Sequence, residues 1–401
     1  MKTPESKPDN PIPVLFLSTT RCTIPPDPTL KKKWGGLSPF FQSTVVSFNE
    51  GTGPFRTEIE GSGWVLLPGA APRVIRYILH FSVSFLLSLS GALTKKYHAV
   101  IAQSPYEALA PALAFIPWKI VGSSAKPRLI IEVHNDWKEG VMLYHRSRFS
   151  WIEKLVRTFV GRISLYQADA YRSISDYCCK LLPNDQKPVF TFPTFTDLES
   201  FKEPSMEHMR EVTRQHGQKF FLYAGMLIYL KGIHHLINAF NSVLKKHPDV
   251  KLLIAGKGRE EGNLKKLVTQ LRIDDSVHFV GHLDQQTLGA YTKNSTALIL
   301  PSLTEGLGRV AIEAHLLERP VIASRVGGLP EIVSDGKTGL LVEPGDEEGL
   351  KNAVIKLLEN PELADTMGKA GKKTVVETFD YHSYFQSYYR MVQSTCREEG
   401  N

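Results

Sequence analysis

The sequence predicts an α/β chain of two doubly wound domains, and three observations carry that expectation. At 401 residues, 42% of them hydrophobic, the chain is long enough for two cores rather than one. Short apolar runs of strand length alternate with amphipathic stretches of helical length, the pattern of parallel sheets flanked by helices. The alternation lapses across FPTFTDLESFKEP, between Pro193 and Pro204, and then resumes, which marks a connection between two such series.

Residues 1–12 are polar and proline-rich and predict a disordered lead-in without the apolar core of a secretory signal. The first domain, 13–195, has strands expected at 13–18, 98–103, 128–134, 170–175 and 188–192, with helices between them. A connection is expected over 196–217. The second domain, 218–375, repeats the alternation: strands KFFLYAG, VKLLIAGKG, VHFVG, ALILPS, PVIAS and LLVEPGD, separated by helices such as IHHLINAFNSVLKKH and RVAIEAHLLE. The last stretch, 376–396, carries an aromatic stripe at helical spacing and is expected to return and pack on the first domain. Doubly wound sheets bind ligands beyond the carboxyl ends of their strands, so a cleft between two facing domains is the expected place for a site.

Composition narrows the class. Cys22, Cys178, Cys179 and Cys396 form no CxxC pair and no Cys/His cluster, which argues for a reducing compartment without structural zinc. The net charge of +7 is uneven: residues 1–195 hold 23 Lys and Arg against 14 Asp and Glu. Lys31, Lys32 and Lys33, then Lys95 and Lys96, then Arg146 and Arg148 are the clusters, and such patches attract phosphate-rich surfaces. No nucleic-acid recognition motif accompanies them, so nucleic acid is not expected as a partner. Residues 73–95 approach the length of a membrane span. Arg73, Arg76, His80, Ser84, Ser88, Gly91 and Lys95 gather on one helical stripe, which predicts a helix packed in a domain or lying at an interface.

The sharpest constellation is PSLTEGLGRVAIEA, 301–314, where a strand ends, a glycine-rich turn follows and a helix begins. Gly306 and Gly308 let the backbone approach a ligand, and the unpaired amides of a helix start favour an anion such as phosphate. Glu305 and Glu313 stand eight positions apart, at most roughly 12 Å along a helix, enough to reach two ends of one diphosphate-linked ligand. Downstream, IASRVGGLPEIVSDGKTGLLVEPGD places Gly327 and Gly328 before Pro330 and Glu331. The turn AGKGREEG mimics a dinucleotide fingerprint, but its third glycine is displaced to Gly262 and the turn follows an interior strand, which argues against a nicotinamide cofactor.

Together with YAGMLIYLKGIHHLINAF, LLIAGKGRE and VHFVGHLDQQTLGAYTKNSTALILPS, these segments resemble the donor-binding domain of glycosyltransferase family 4, including its Glu-x7-Glu signature. The likeness is close over 220–375 and looser before it. It implies the GT-B architecture, two Rossmann-like domains facing across a cleft. It also implies a retaining transfer of a hexosyl group from a nucleotide-diphosphate sugar. By the same resemblance Glu305 contacts the donor sugar, Glu313 holds the ribose hydroxyls, and Lys231 neutralises the departing diphosphate. Gly35 and Gly36, expected in the loop after the first strand, lie near the donor phosphates, and His134 faces the sugar. Gly306, Leu307 and Gly308 cradle the phosphates, while Gly256, His282 and Leu283 lie in the turns that bound the base. The family's usual arginine after the glycine of YAG is replaced by Met226, and Arg309 is a candidate to replace its charge.

The absence of a DxD motif fits chemistry without a metal, with cationic side chains and helix amides in its place. No cofactor is therefore expected beyond the sugar nucleotide. Two alternatives stay open: a non-catalytic nucleotide-sugar binding protein, and a GT-B epimerase or phosphorylase. Basic patches and the 73–95 segment point to a lipid-linked or cell-envelope glycan acceptor, and to a cytoplasmic protein held peripherally at an anionic membrane surface.

Overall fold

A computed structural model describes residues 8, 10–51, 55–123, 125–137, 150–197, 204–217, 219–379 and 381–397. Arg146 and Arg148 of the basic clusters, most of the expected lead-in and residues 198–203 of the expected connection lie outside them. The chain divides into two compact α/β units.

In chain order the first unit contains β1 (Ile12–Cys22), α1 (Pro28–Leu37), β2 (Phe41–Asn49), β3 (Phe55–Ile59), β4 (Ser62–Pro68), α2 (Arg73–Thr94), β5 (Ala99–Ala102), α3 (Leu109–Ala114), α4 (Ile116–Ile120), β6 (Arg128–Val133), α5 (Ser150–Gln167), β7 (Ala170–Ser173), α6 (Asp176–Cys179) and β8 (Val189–Thr191). The second holds α7 (Met206–His216), β9 (Phe220–Ala224), a 3₁₀ turn at Tyr229–Lys231, α8 (Ile233–Leu244), β10 (Lys251–Ala255), α9 (Glu261–Leu271), β11 (Val277–Gly281), α10 (Gln285–Asn294), β12 (Leu298–Leu300), α11 (Arg309–Leu316), β13 (Val321–Ser324), α12 (Leu329–Ile332), β14 (Gly339–Val342), α13 (Glu347–Glu359) and α14 (Pro361–Thr378). The last helix, α15 (Tyr381–Arg397), belongs to the first unit.

The first sheet runs β3-β4-β2-β1-β5-β6-β7-β8 and is parallel except for β3, which pairs antiparallel with β4. The second runs β11-β10-β9-β12-β13-β14 and is parallel throughout. Strands such as FFLYA in β9 and AVIA in β5 are buried along their whole length, as helices on both faces of a parallel sheet require.

On one face of the first sheet α15 contributes Tyr384, Phe385, Tyr388, Met391 and Val392 to a core shared with Phe16, Trp34, Phe41 and Trp64. Edge-to-face rings stack through it, Phe16 on Trp34 at 5.1 Å and Trp34 on Trp64 at 5.3 Å. Beside them Glu132 is fully buried, 3.1 Å from the equally buried Arg172, and accepts a hydrogen bond from the Tyr388 hydroxyl. Burial alone would raise the Glu132 pKa, but Arg172, His134 and Tyr388 together hold it well below the usual carboxylate range. A charge pair without solvent thus fastens α15 to the sheet, and removal of either partner would strand the other.

Several expectations are corrected. The strands β2, β3 and β4 were not expected; Gln42, Ser43, Thr44 and Ser47 in FQSTVVSFN break up the apolar run that would have marked β2. The connection expected at 196–217 contains helix α7, capped by the Ser205 hydroxyl on the His208 amide and packed on α10 through that part of the second unit. Gly35 and Gly36 are not in a loop. They lie inside α1, which starts at an Asp27 cap and a proline in its first turn. A Cβ on Gly36 would fall 2.1 Å from the Phe385 ring, so that glycine is where α15 crosses α1. Lys32 is ion-paired with Asp197 at 2.6 Å.

Gly36→Ala should therefore destabilise the protein by about 1–3 kcal/mol through overpacking against Phe385. Gly35→Ala, whose Cβ would meet Glu60 at an ordinary 3.6 Å, should be neutral or stabilising by up to about 1 kcal/mol through helix propensity. Chemical denaturation of the two variants checks the contrast.

Candidate functional site

The C-terminal edge of the second sheet gathers five glycine-bearing turns in the order of its strands. Furthest out, the Gly256 amide donates to the Gly281 carbonyl at 2.6 Å, joining the turns after β10 and β11. Gly256 has φ +134°, and a Cβ there would sit 1.8 Å from the Gly225 carbonyl, so only glycine allows the turns after β9 and β10 to touch. Leu283 borders this corner half-buried, and His282 is exposed.

At the centre, β9 leads through the 3₁₀ turn to Lys231, and the neighbouring β12 leads to Glu305. The Leu303 amide donates to the Leu230 carbonyl at 2.8 Å, locking the two turns side by side. Lys231 Nζ then lies 2.6 Å from Glu305 Oε2, with side chains 19% and 17% exposed. The Ser302 hydroxyl donates to the same carboxylate oxygen at 3.3 Å. Behind Glu305, Gly327 at φ +58° passes so close that a Cβ would lie 1.7 Å from the Glu305 carbonyl. The Gly328 amide donates to the Gly306 carbonyl at 3.1 Å. The double glycine after β13 therefore supports the backbone that carries Glu305.

Helix α11 begins immediately beyond, with Gly308 as a left-handed N-cap at φ +85°. No cap side chain satisfies its first amides, and the helix dipole makes that end attractive to an anion. Leu307 is buried beneath the turn. Arg309 is half-exposed and its Nε lies 3.1 Å from Glu313 Oε1 one turn on. Glu313 is almost buried, and desolvation lifts its pKa to about 7 against the opposing pull of Arg309. Met226 is exposed, and its carbonyl accepts from the buried Tyr223 hydroxyl at 2.9 Å.

The structure thus brings together Lys231, Glu305, Gly306, Leu307, Gly308, Arg309 and Glu313, with Gly256 and Leu283 further along the same edge. His134 belongs to the first unit, just past β6, where its Nε2 lies 2.7 Å from Glu132. Gly35 and Gly36 are helical, as described above. Sequence reasoning missed Ser302 and Gly232. A Cβ on Gly232 would lie 1.9 Å from the Pro301 carbonyl, and its φ is +63°. Glu107 follows β5 and is lifted to about 7 by burial, although Thr19 donates to it from its amide at 3.0 Å and from its hydroxyl. Among the described residues no group of three or more His, Cys, Asp or Glu is placed to hold a metal.

Two Rossmann-like units with parallel sheets are the architecture of the GT-B glycosyltransferases. Sucrose-phosphate synthase from Thermosynechococcus elongatus superposes with a TM-score of 0.76 at 22% identity, over 96% of this chain and 99% of that one. HepE from Anabaena, solved in complex with UDP-glucose, superposes with a TM-score of 0.71 at 16% identity, over 96% of this chain and 100% of that one. Residues 205–374, which hold the whole strand-end constellation, match the family described as Glycosyl transferases group 1. Over 167 residues the chain is 36% identical to the glycogen synthase of Mycobacterium tuberculosis, covering 42% of this chain and 40% of that protein.

The Glu313 environment gives a test on the protein without ligand. Its folded pKa lies above the unfolded value, so its contribution favours the folded state below about 4.5 and is lost as pH rises through about 7. Between these limits Glu313→Gln should gain stability over the parent by on the order of 3 kcal/mol. Glu107 is common to both proteins and cancels in the difference. Denaturation curves at pH 4.5 and 7.5 measure it; a difference independent of pH contradicts the assignment.

Proposed function

We propose that this protein is a retaining, metal-independent glycosyltransferase that moves a hexosyl group from a nucleoside diphosphate sugar to a hydroxyl acceptor. The chain spans about 40% of the length of the glycogen synthase it matches, so the reading rests on this chain's own site. One observation carries it: a lysine and a carboxylate, ion-paired at 2.6 Å, stand against the uncapped N-terminus of α11 at a parallel sheet's carboxyl edge. The UDP-glucose complex of HepE, on the same fold, supports the choice of donor.

The diphosphate rests over the start of α11, where Gly306 and Gly308 leave room and amides and dipole supply positive potential. Lys231 meets the charge that develops on the leaving phosphate, and Glu305, relieved of that partner, accepts from a sugar hydroxyl. Glu313 accepts from the ribose hydroxyls, and the Gly256 and His282–Leu283 turns bound the base. In the transfer the bond from the anomeric carbon to the diphosphate breaks while the bond to the acceptor oxygen forms on the same face. The acceptor proton passes to the departing diphosphate oxygen. No protein nucleophile is required, so the side chains supply position and charge.

Lys231→Ala should lower kcat/KM for transfer by roughly a hundredfold, about 3 kcal/mol of lost charge stabilisation. Glu305→Ala should abolish measurable transfer while the fold persists. A panel of nucleotide sugars, screened by the melting temperature each confers, identifies the donor. Chelation of divalent metals should leave the rate unchanged. Absence of any stabilising nucleotide sugar, or full activity in both variants, overturns the reading; binding without transfer to any acceptor or water favours a binding protein instead.

A further inference from the structure

The first unit carries an inverted helix. In α2 the side facing the sheet is polar: His80, Ser84, Ser88 and Gly91 are buried. His80 Nε2 lies 3.1 Å from the Ser18 carbonyl, burial drives its pKa down to about 4, and Arg76 donates to the Gly69 carbonyl at 3.0 Å. The opposite side is apolar and faces solvent. Ile75, Ile78, Leu86 and Leu93 are 48%, 58%, 62% and 68% exposed. With Ser82 and the half-buried Leu89 they form one row at spacings of three and four. The row runs for roughly 27 Å as a straight ridge.

The ridge continues on the same layer. Right-handed crossovers place α2, α3 and α5 on one face of the sheet and α1 on the other, and α3 packs against both α2 and α5. Helix α5 turns Leu155, Phe159 and Tyr166 outward, each more than 60% exposed. Ile120 and Val121, at the end of α4, are also exposed.

Charge selects the occupant. Between Glu60 and Glu132 the only acidic residue is Glu107, whose Oε1 is bonded to Thr19 and whose Oε2 is buried. Of the basic residues in that stretch, exposed Arg73 stands at one end of the ridge and exposed Lys95 and Lys96 at the other. Exposed Arg162 accompanies the α5 row, and Lys119 Nζ lies 3.8 Å over the Tyr166 ring. A long apolar ridge flanked by cations and nearly free of carboxylates matches an anionic bilayer, which offers acyl chains beneath phosphate headgroups. A span is disfavoured, because it would tear His80 and its neighbouring serines from the sheet and place them in hydrocarbon.

We propose that the outer face of the α2–α3–α5 layer docks on an anionic phospholipid surface, α2 lying in the headgroup plane with Ile75, Ile78, Leu86 and Leu93 inserted. This goes beyond the transfer reaction and would deliver the enzyme to an acceptor held in the same membrane.

The test is flotation of the full chain with phosphatidylcholine vesicles, alone or mixed with phosphatidylglycerol, at low and high salt. The parent should float with the mixed vesicles at low salt, at least tenfold more than with the neutral ones, and detach as salt screens the headgroups. Ile78→Glu with Leu86→Glu should abolish flotation, and Lys95→Glu with Lys96→Glu should weaken it severalfold. Both variants should keep the melting temperature and any stabilisation by nucleotide sugar, so this idea can fail while the donor reading stands. Failure of the parent to float at low salt overturns the proposal, as does undiminished flotation of the Ile78/Leu86 variant. Sedimentation showing that the parent dimerises through this face, with the same variant monomeric, also overturns it.

Discussion

The ion pair between Lys231 and Glu305 is the interaction on which the site depends, and much of the second unit exists to hold it. Its members come from adjacent strands, β9 and β12, so the sheet fixes their separation before any side-chain contact forms. Gly232 allows the turn after β9 to press on Pro301, and Gly327 allows the turn after β13 to press on Glu305. Both charges are mostly withdrawn from water, and each would be costly alone. A ligand that brings a diphosphate and a hydroxyl can replace both halves of the pair at once. A ligand with only one of these groups leaves the other charge unsatisfied, and that asymmetry is a source of specificity.

The first unit contains a contrasting arrangement. Glu132 and Arg172 are each 1% exposed and direct their hydrogen bonds to one another, to Tyr388, to His134 and to backbone carbonyls. Burial keeps that pair out of a ligand's reach, and its work is to join α15 to the sheet. His134 lies between the two cases. Its Nε2 is engaged by Glu132, which fixes the ring and makes that nitrogen the donor, and the side chain is still 31% exposed. A charge pair at a strand end is thus read by what remains available to a ligand, not by its presence.

The second unit was legible because its strands are short, apolar and buried on both faces, and because its site lies on consecutive residues around one strand-turn-helix. Glu305, Gly308 and Glu313 could be placed on that element from spacing alone. Lys231 is 74 positions from its partner, and only the resemblance connected them. The first unit was harder. Serine and threonine within β2 hid a central strand, and Gly35–Gly36 looked like a loop because a glycine pair in a helix is locally unfavourable. The reason lies 349 positions away in Phe385, a contact no local pattern reveals. In α2 the periodic stripe was found, but periodicity does not say which side faces inward; His80 and Ser18 decide it.

On the proposed function, Arg309 bears on how a diphosphate would be met without an arginine at Met226. Its guanidinium sits 3.1 Å from Glu313, a carboxyl that burial holds partly protonated near neutrality. As that acid ionises it claims Arg309 more strongly, and the charge available to a diphosphate falls. A ribose that hydrogen-bonds Glu313 would compete for the same oxygens and release the guanidinium towards the start of α11. Recognition at one end of a sugar nucleotide would then supply a cation for the middle of it, beside Lys231 and the helix amides. The half-exposed side chain of Arg309 suits such an exchange, because Glu313 opposes its charge only to the extent that this acid is ionised.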